Sequence, residues 1–419
     1  MRATTLLNRL LPLPKATIRD VEIVDDRVRV AVRPQRHRMR CPHCDYSTRH
    51  RYDTRDVDSS WRHLDLGGRV CVLTLRRRRL RCPEHGVLAE AVDFARPGSG
   101  FTRDFEDLVV WLATKTDKST VSVFCRITWR TVGAMCTRVA AEKLSPDRFT
   151  NLVDIGVDEI SWRRHHKYLT LISDHDTGTI VWGTEGKSAA ALDEFFTDTL
   201  PDGAAEQVAA VSMDLGPAYR KSVRAHAPQA TICFDPFHVV KLATAALDDV
   251  RRRQWQLART LSDKQIAKTY KGARWALLKN PENLTVKQES TLDALKRHGG
   301  ALVRAYELKE ALRAVFAGDL DADQVHTMLG RWCSWAQRCR IPQFVKVGRT
   351  IREHRDGILA AVTRGLANGR HEGLNNKVRL IIRRAYGFHS AENALAMVML
   401  TCGPVTLDLP YHMGTHPHS

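Results

Sequence analysis

Three carboxylates in this 419-residue chain have the types and positions of a metal-binding site: Asp158, Asp214 and Glu372. Asp158 stands near the end of a segment with strand alternation, Asp214 directly follows a short apolar strand, and Glu372 begins an amphipathic helical segment. An unpaired carboxylate at a strand end is costly to bury unless a cation compensates its charge. Three carboxylates without an imidazole or thiolate form a hard, oxygen-rich site, which suits two Mg²⁺ or Mn²⁺ ions.

The elements that must position the two aspartates begin at residue 151. The pattern predicts an order of three strands, a helix, a strand, a helix, a strand and a helix. The predicted strands are 152–160, 168–173, 179–183, 207–213 and 230–234. This order matches the RNase H-like fold, in which the fourth strand lies beside the first. That fold would bring Asp158 and Asp214 to adjacent strand positions.

Other polar residues near these strands have competing interpretations. Strand alternation directs Glu159 to the face opposite Asp158, and Asp174 and Asp176 are expected in a turn. Asp235 and His238 follow the fifth strand. Ordinary helix capping is the favoured role for them, with support of the carboxylate site or positioning of DNA as the alternative.

Residues 240–362 have an almost continuous helical pattern and form a predicted insertion before Glu372. On the helix that follows, Lys377, Arg379 and Arg383 are predicted to contact DNA phosphates. The tryptophans of the insertion are expected in its core, with stacking on unpaired bases as the alternative. They are Trp255, Trp275, Trp332 and Trp335.

Two short ligand pairs near the N-terminus predict a second metal site. Cys41 and Cys44 form one pair, and Cys82 and His85 form the other, each in a proline-containing turn. Three thiolates and one imidazole suit tetrahedral zinc, which would be structural and would stabilise a small polar module. His43 and Cys71 are alternative ligands, and two unrelated turns with free cysteines remain the competing interpretation.

Four consecutive arginines follow an apolar segment between these pairs. The stretch 70–81 is predicted as one strand that ends in them, and a charge run is usually a solvated face. Beside a zinc module in a basic chain, phosphate contact is favoured. The four residues are Arg76, Arg77, Arg78 and Arg79.

Residues 101–145 carry the periodicity of three helices. Thr102 and Thr128 are predicted to cap the first and third of them. The third helix begins with Trp129, Arg130 and Thr131, and two short helices joined by a tight turn resemble a helix-turn-helix with its recognition helix. Plain helix packing would produce the same periodicity.

The composition limits the class of protein. The net charge is +18, and residues 1–100 contribute half of it, with 21 Lys and Arg against 12 Asp and Glu. This balance favours a polyanionic partner, nucleic acid before an anionic membrane. A signal peptide and a membrane-spanning run are not expected, and ten scattered cysteines favour a cytoplasmic protein over a disulfide framework.

Four motifs make the chain resemble the ISL3-type insertion-sequence transposases. They are Gly156-Val-Asp158-Glu, Ser212-Met-Asp214, Phe234-Asp-Pro-Phe-His238 and Asn368-Gly-Arg-His-Glu372-Gly-Leu-Asn-Asn376. The resemblance covers nearly the whole chain and implies that Asp158, Asp214 and Glu372 are a DDE triad. It implies metal-dependent attack of water, and then of a DNA 3′-OH, on phosphodiesters.

The resemblance also implies an organisation and partners. We expect a multidomain α+β protein with a zinc-binding, DNA-contact module over 1–95 and a helix-turn-helix over 101–145. An RNase H-like core would span 151–400, followed by a tail at 401–419. Double-stranded DNA, as terminal inverted repeats and as target, would be the partner of a homo-oligomer in the bacterial cytoplasm, at the nucleoid. The alternatives are a catalytically inactive or domesticated DNA-binding regulator and, less favoured, a nuclease without strand transfer.

Overall fold

The computed structural model describes residues 3–409 except 164, 166, 317, 319, 367 and 368, and for residues 369–372 it describes the backbone alone. The predicted tail beyond residue 409, Asn368 of the fourth motif and the side chain of Glu372 therefore lie outside the described residues. The chain divides into two compact units. Unit 1 contains the described residues up to Leu144 and those from Val405 onwards, and unit 2 is Ser145–Pro404.

Unit 1 begins with helix α1 (Ala3–Leu10) and continues with nine strands in three small sheets. The sheet orders are β1-β2-β7-β6, β5-β8-β9 and β3-β4. The strands are β1 (Ala16–Val24), β2 (Arg27–Pro34), β3 (Met39–Arg40), β4 (Ser47–Thr48), β5 (Asp53–Thr54), β6 (Ser59–Leu66), β7 (Arg69–Leu75), β8 (Arg78–Cys82) and β9 (Gly86–Ala89).

The stretch 70–81 is two strands, so the prediction of one strand was wrong. β7 lies in the four-stranded sheet and β8 in the three-stranded sheet, and Arg76 and Arg77 connect them. The Arg77 guanidinium donates to the carbonyl oxygens of Ala89 and Glu90. This contact pins the connection to the end of β9, which the apolar pattern of the segment does not reveal.

Three helices complete unit 1: α2 (Arg103–Lys115), α3 (Lys118–Cys125) and α4 (Trp129–Lys143). Thr102 and Thr128 cap α2 and α4 as predicted, accepting from backbone N–H groups of Phe105 and Thr131. The helices are held by Arg96, whose side chain is 2% exposed and pairs with Glu106 at 3.0 Å, and also with Asp107 and Glu142. A buried cation with three carboxylate partners avoids the cost of an unpaired buried charge.

His63 links the four-stranded sheet to the start of α2. Its ring lies 2% exposed and Nδ1 is 2.9 Å from Oγ1 of Thr102, the residue that caps the helix. Burial lowers the pKa of this imidazole to about 4. Protonation therefore favours the unfolded chain, and the stability that the neutral ring provides is lost as the pH falls from about 6.5 towards 4.

We expect unit 1 to lose about 2 kcal/mol of stability between pH 7 and pH 5 through this group. Hydrogen exchange of peptides from β6 and α2 measures the local unfolding free energy at each pH. The variant His63→Gln keeps a hydrogen-bonding side chain without a titrating group, so its exchange should lack this slope. An equal slope in both proteins would exclude His63 as the source.

Unit 2 is built around one five-stranded sheet of order β12-β11-β10-β13-β14. β10 pairs antiparallel with β11 and parallel with β13, and β13 pairs parallel with β14. The five strands follow the predicted segments, with ends that differ by up to three residues. They are β10 (Asp154–Arg163), β11 (Lys167–Asp174), β12 (Thr179–Glu185), β13 (Ala210–Met213) and β14 (Thr231–Phe234).

Helices cover this sheet and form the insertion. Ser188 caps the first of them as predicted, and that helix continues as a π-helical turn over Phe195–Thr199. Short 3-10 turns occur at Pro146–Phe149 and Pro281–Asn283. The helices are α5 (Ala189–Glu194), α6 (Ala204–Gln207), α7 (Pro217–His226), α8 (Pro236–Thr260), α9 (Lys264–Gly272), α10 (Arg274–Leu278), α11 (Val286–His298), α12 (Ala301–Val315), α13 (Ala322–Arg338), α14 (Pro342–Glu353), α15 (Arg355–Thr363), α16 (Gly369–Arg384) and α17 (Ala391–Cys402).

One continuous hydrophobic core joins the sheet and the insertion. It runs from sheet residues such as Ile155 and Val211 through α8 to Trp332 and Ile358. Trp332 is 3% exposed and donates its indole N–H to the carbonyl oxygen of Leu308 at 2.8 Å. The prediction of buried tryptophans holds for Trp332 only, because Trp255 is partly exposed and Trp275 and Trp335 are exposed.

Across the described parts of both units, no helix has the length and apolar character that a membrane crossing requires.

Candidate functional site

Strand register brings the two aspartates to the same edge of the sheet. Gly156 of β10 pairs with Ser212 of β13 in parallel, so Asp158 and Asp214 each stand two residues beyond this pair. Both line one cavity of about 50 Å³. This volume admits a few atoms of water or ion size. The predicted proximity of Asp158 and Asp214 is therefore seen in the structure.

Each aspartate is held in place by hydrogen bonds to neutral donors. Asp158 Oδ1 accepts from the backbone N–H of Glu159 at 2.7 Å, and Oδ2 accepts from the side-chain amide of Asn375. Asp214 Oδ1 accepts from the backbone N–H of Gly216 at 2.8 Å. A Cβ at residue 216 would lie 2.8 Å from that same oxygen, so a side chain at this position would displace the Asp214 carboxylate.

No described cationic side chain neutralises the pair. Lys241 and Arg379 line the same cavity, yet among the described side chains neither forms an ion pair with Asp158 or Asp214. Two converging carboxylates that bind only neutral donors leave oxygen lone pairs for a hard cation. The donor set therefore fits Mg²⁺ or Mn²⁺.

The pKa values of two neighbouring side chains, Tyr219 and Glu159, are raised beside these carboxylates. Burial, and after it the carboxylates of Glu159, Asp214 and Asp158, raise the pKa of Tyr219 to about 12 despite a hydrogen bond to Thr170. Burial and then the charge of Asp214 raise the pKa of Glu159 above its ordinary value. Burial is the main cause of both shifts, and the neighbouring carboxylates raise the two pKa values further.

Glu159 lies on the other face of the sheet from Asp158, as alternation predicts. Its cross-strand partner is Thr170, whose hydroxyl is 2.9 Å from the Tyr219 hydroxyl on the α7 side. Asp158 instead pairs across to Leu171, and its carboxylate is contacted from α16. Glu159 therefore belongs to the surroundings of the site, on the α7 side.

Asp235 and His238 lie at the start of α8, beside the two aspartates. Asp235 caps α8 by accepting from the backbone N–H of Phe237 at 2.8 Å, and its other oxygen lies 3.7 Å from His238 Nε2. Both side chains also line the cavity with the two aspartates. Capping is thus observed, and the residues stand where they can influence the site.

The helix α16 carries the remaining predicted residues. Glu372 lies on it, three residues before Asn375. Arg379, one further turn along, lines the cavity, and its guanidinium donates to Asn376 at 3.3 Å. Lys377 and Arg383 are exposed and do not line the cavity.

Asn375 is a residue of this cavity that the sequence analysis did not single out. The contact of its amide with Asp158 joins residues 217 positions apart, which no local pattern reveals. The available signal was its spacing, since residues three apart share one face of a helix. That spacing places Asn375 on the face of α16 that carries position 372.

We expect Asn375→Ala to lower the rate of any metal-dependent reaction at this site by about 10–100-fold, because loss of a partner that orients a ligand has that effect. Titration of activity against Mg²⁺ should show a weaker apparent affinity for the ion. Asn283→Ala, which removes an exposed amide of unit 2 outside the cavity lining, is the matched control and should behave as wild type. Equal effects of the two substitutions would contradict a positioning role for Asn375.

The predicted zinc ligands converge in unit 1. Donor atoms of Cys41, Cys44, Cys82 and His85 all lie within 4.8 Å of one another. The Cys44 and Cys82 sulfurs are 3.6 Å apart, and His85 Nδ1 is 3.6 Å from Cys82 and 3.8 Å from Cys41. Tetrahedral zinc with bonds of about 2.3 Å to sulfur and about 2.0 Å to nitrogen requires separations of about 3.5–3.8 Å. The cluster therefore fits structural zinc.

The alternative ligands do not join this cluster. Cys71 is fully buried in the core of the four-stranded sheet. His43 is exposed, and its ring centre lies 5.4 Å from that of His85. The four donors are those that the sequence predicted.

The arginine run is mostly engaged within unit 1. Arg78 pairs with buried Glu90, Arg79 pairs with Asp53, and burial lowers the pKa of Arg77. Arg76 is exposed, whereas the other three arginines are partly buried. The Arg76 guanidinium pairs with Asp58 at 3.3 Å. All four arginines of the run therefore have partners within unit 1, because the run crosses between two sheets, and the Arg76–Asp58 pair is the one whose arginine is exposed.

The start of α4 is partly available to a ligand. Arg130 is exposed, whereas the Thr131 hydroxyl is 2.8 Å from that of the cap Thr128. Trp129 is partly buried, with the ammonium of Lys118 4.8 Å from its ring centre. Arg130 is thus the residue of this predicted set that is most accessible.

Comparison with known families finds matches to three segments of the chain. Residues 37–85 match the zinc-finger of transposase IS204/IS1001/IS1096/IS1165, and residues 90–140 match the helix-turn-helix domain of transposase family ISL3. Residues 155–398 match the transposase domain of the same family. The chain belongs to the ISL3 family of transposases.

Curated relatives agree with this family. The transposase for insertion sequence element IS1557 of Mycobacterium tuberculosis is 41% identical over 446 aligned positions, which cover 100% of this chain and 99% of the relative. The transposase for insertion sequence element IS1001 of Bordetella parapertussis is 28% identical over 87% of this chain and 88% of its own length. The ISL3 membership makes the chain an insertion-sequence transposase, an enzyme that in general cleaves DNA and transfers strands.

Proposed function

We propose that this transposase cuts and joins the ends of its element with an RNase H-like core. The sheet order β12-β11-β10-β13-β14, with β11 antiparallel to its neighbours, supports that fold. The observation that carries the proposal is the convergence of Asp158 and Asp214 beyond adjacent parallel strands. Among the described residues, the hydrogen-bond donors to these two carboxylates are all neutral.

Glu372 is the third carboxylate in this proposal. It lies on α16, three residues before the amide that contacts Asp158. Asp158, Asp214 and Glu372 would hold two Mg²⁺ or Mn²⁺ ions, which supply activation of the attacking oxygen and charge stabilisation of the leaving oxygen. Asn375 fixes the orientation of Asp158, and His238 and Asp235 lie at the rim of the same cavity.

Cationic residues at this edge would hold the scissile strand. Lys241 and Arg379 line the cavity, and their charges attract phosphate. They can bind a phosphodiester beside the carboxylates without reading its sequence. Lys377 and Arg383, both exposed on α16, extend the basic character of this helix along the DNA.

The N-terminal modules would recognise the element's terminal inverted repeats. Arg130 at the start of α4 is exposed and suited to a base edge in the major groove, with Trp129 and Thr131 shaping that end of the helix. Arg76 remains a candidate phosphate contact. Pairing of two ends implies a homo-oligomer on DNA, acting in the bacterial cytoplasm at the nucleoid.

The test is cleavage of a labelled terminal-repeat duplex with and without Mg²⁺. Wild type should nick and join this DNA only with the metal, and Asp214→Asn should abolish both reactions while DNA binding is retained. Asp202→Asn, which alters an exposed turn residue of the same unit, is the matched control and should remain active.

Other outcomes identify the competing functions. Cleavage by Asp214→Asn at the wild-type rate would refute the carboxylate assignment. Tight binding of the repeat without cleavage under any metal would indicate a DNA-binding regulator, and hydrolysis without joining would indicate a nuclease.

A further inference from the structure

A second basic region lies in the insertion, apart from the carboxylate cavity. Residues 251–279 contain nine Lys or Arg and a single acidic residue, Asp263. They span the last ten residues of α8, all of α9, and α10. This short segment carries a net charge of +8 out of the +18 of the whole chain, so the charge is concentrated here.

The helix α8 connects this region with the carboxylate site. Lys241 lines the cavity near the beginning of the helix, and Arg259 lies 18 residues further on. Eighteen residues are five turns, so both side chains lie along one line of the helix, about 27 Å apart. Trp255 falls on the same face, while the buried face carries Val239, Ala243, Leu247 and Val250.

The helix α9 adds a row of lysines. Lys264, Lys268 and Lys271 are all exposed and follow a spacing of four and three residues, which places them on one face. Trp255 joins this row to α8, because Arg259 lies 5.4 Å and Lys271 5.9 Å from its ring centre.

The helix α10 extends the same surface. Arg274 is exposed and lies 5.0 Å from the ring centre of Trp275, which is 55% exposed. We define the insertion surface as five exposed cations together with the indole rings of Trp255 and Trp275. The cations are Arg259, Lys264, Lys268, Lys271 and Arg274.

The charges of the insertion surface are not compensated within the described part of the protein. None of its five cations forms an ion pair with a described carboxylate, whereas the nearby Arg251 and Arg252 pair with Asp248. Lysines four residues apart repel each other and destabilise a helix by a few tenths of a kcal/mol. A polyanion would relieve this repulsion.

The geometry points to a second DNA-binding surface, in which the insertion surface holds the phosphate backbone of a duplex. The distance of about 27 Å along α8 corresponds to about eight base pairs, so one duplex can reach both the carboxylate cavity and Arg259. The indole rings already carry cations on or beside them, which favours phosphate contact over stacking on unpaired bases.

This inference rests on the proposed function only in taking DNA as the substrate, and its test does not depend on catalysis. The variant Lys264→Gln/Lys268→Gln/Lys271→Gln removes the α9 row and keeps the helix propensity, because Gln and Lys favour helices similarly. Both it and its parent carry Asp214→Asn, so that neither can cleave through the proposed triad. The control Lys221→Gln/Arg224→Gln/Lys287→Gln removes three exposed cations from other helices of unit 2.

Binding of the full chain to a duplex without the terminal repeat is measured by fluorescence anisotropy over a range of salt concentrations. The slope of log affinity against log salt is negative, and each lost phosphate contact reduces its magnitude by about 0.9. The slope of the α9 variant should therefore be less steep by about 2.7. The control, which also carries Asp214→Asn, should keep the slope of the parent. Circular dichroism and thermal melts should show an unchanged fold for both.

A slope in the α9 variant equal to that of the parent, or an equal change in the control, would overturn the inference. So would unchanged DNA binding together with a loss of binding to anionic phospholipid vesicles. With Asp214 restored, two assays distinguish the source of the duplex. Impaired cleavage of the element's end indicates DNA at that end, and impaired joining of pre-cleaved ends alone indicates target DNA.

Discussion

Replacing Cys82 with serine is expected to unfold the zinc module of unit 1 while unit 2 keeps its fold. The module has a very small core of Met39, Cys41, Leu80 and Cys82, two of which are metal ligands. Its strands β3, β4 and β5 contain two residues each. So little buried surface cannot offset chain entropy, and zinc binding contributes about 10–16 kcal/mol in comparable small modules.

Zinc content by atomic absorption, together with hydrogen exchange of residues 39–89, measures this effect. Wild type should contain one zinc per chain, and Cys82→Ser should lose it and exchange rapidly in this region. Cys71→Ala is the matched control, since Cys71 is buried in the neighbouring sheet and belongs to no ligand cluster. Retention of zinc by Cys82→Ser, or its loss from Cys71→Ala, would refute the ligand assignment.

Replacing Glu372 with glutamine is expected to reduce cleavage of the terminal duplex by at least about 100-fold, the upper end of the effect of losing an outer partner of a metal site. The neutral amide would lose the charge that a hard cation requires. Binding of the duplex should persist, because the helix-turn-helix and the insertion surface remain. Cleavage and anisotropy measured on the same preparation separate the two effects.

Two neighbouring carboxylates provide the comparison. Glu159→Gln alters a carboxylate on the α7 side of the sheet, and Asp235→Asn alters the cap of α8. Both should reduce activity less than Glu372→Gln.

The metal dependence of a cysteine variant tests directly whether residue 372 binds the ion. Glu372→Cys should be inactive with Mg²⁺ and partly active with Mn²⁺, which accepts softer ligands. If Glu159→Gln has the larger effect and Glu372→Cys shows no metal switch, Glu159 would replace Glu372 as the third carboxylate.

The features that followed from the sequence depend on local spacing. Alternation of β-branched and polar residues marked β10, and Thr102 and Thr128 have the side chains that cap helices, so these elements were predicted to within a few residues. The convergence of the two ligand pairs could be predicted because two tight turns with metal-ligand spacing are typical of a single zinc site. The order of strands and helices was enough to place Asp158 beside Asp214.

The features that did not follow depend on contacts across the chain. Whether an arginine run faces solvent or crosses between sheets is decided by distant partners such as Glu90 and Asp53. The helical pattern did not predict that Trp275 is exposed and Trp332 is buried, because both residues lie on amphipathic segments. The contact between the Asn375 amide and Asp158 depends on the packing of α16 beside β10, which no local pattern specifies.

The continuous core shared by the sheet and the insertion constrains how this enzyme can be engineered or can diverge. An insertion that packed by itself could be exchanged between relatives as a cassette, leaving the nuclease scaffold intact. Here Trp332 and Ile358 pack in the same core as Ile155 and Val211, so an exchange would expose apolar surface of the scaffold itself. We expect chimeras with breakpoints inside 240–362 to be insoluble, and functional variation to accumulate as substitutions on the exposed faces of the helices instead.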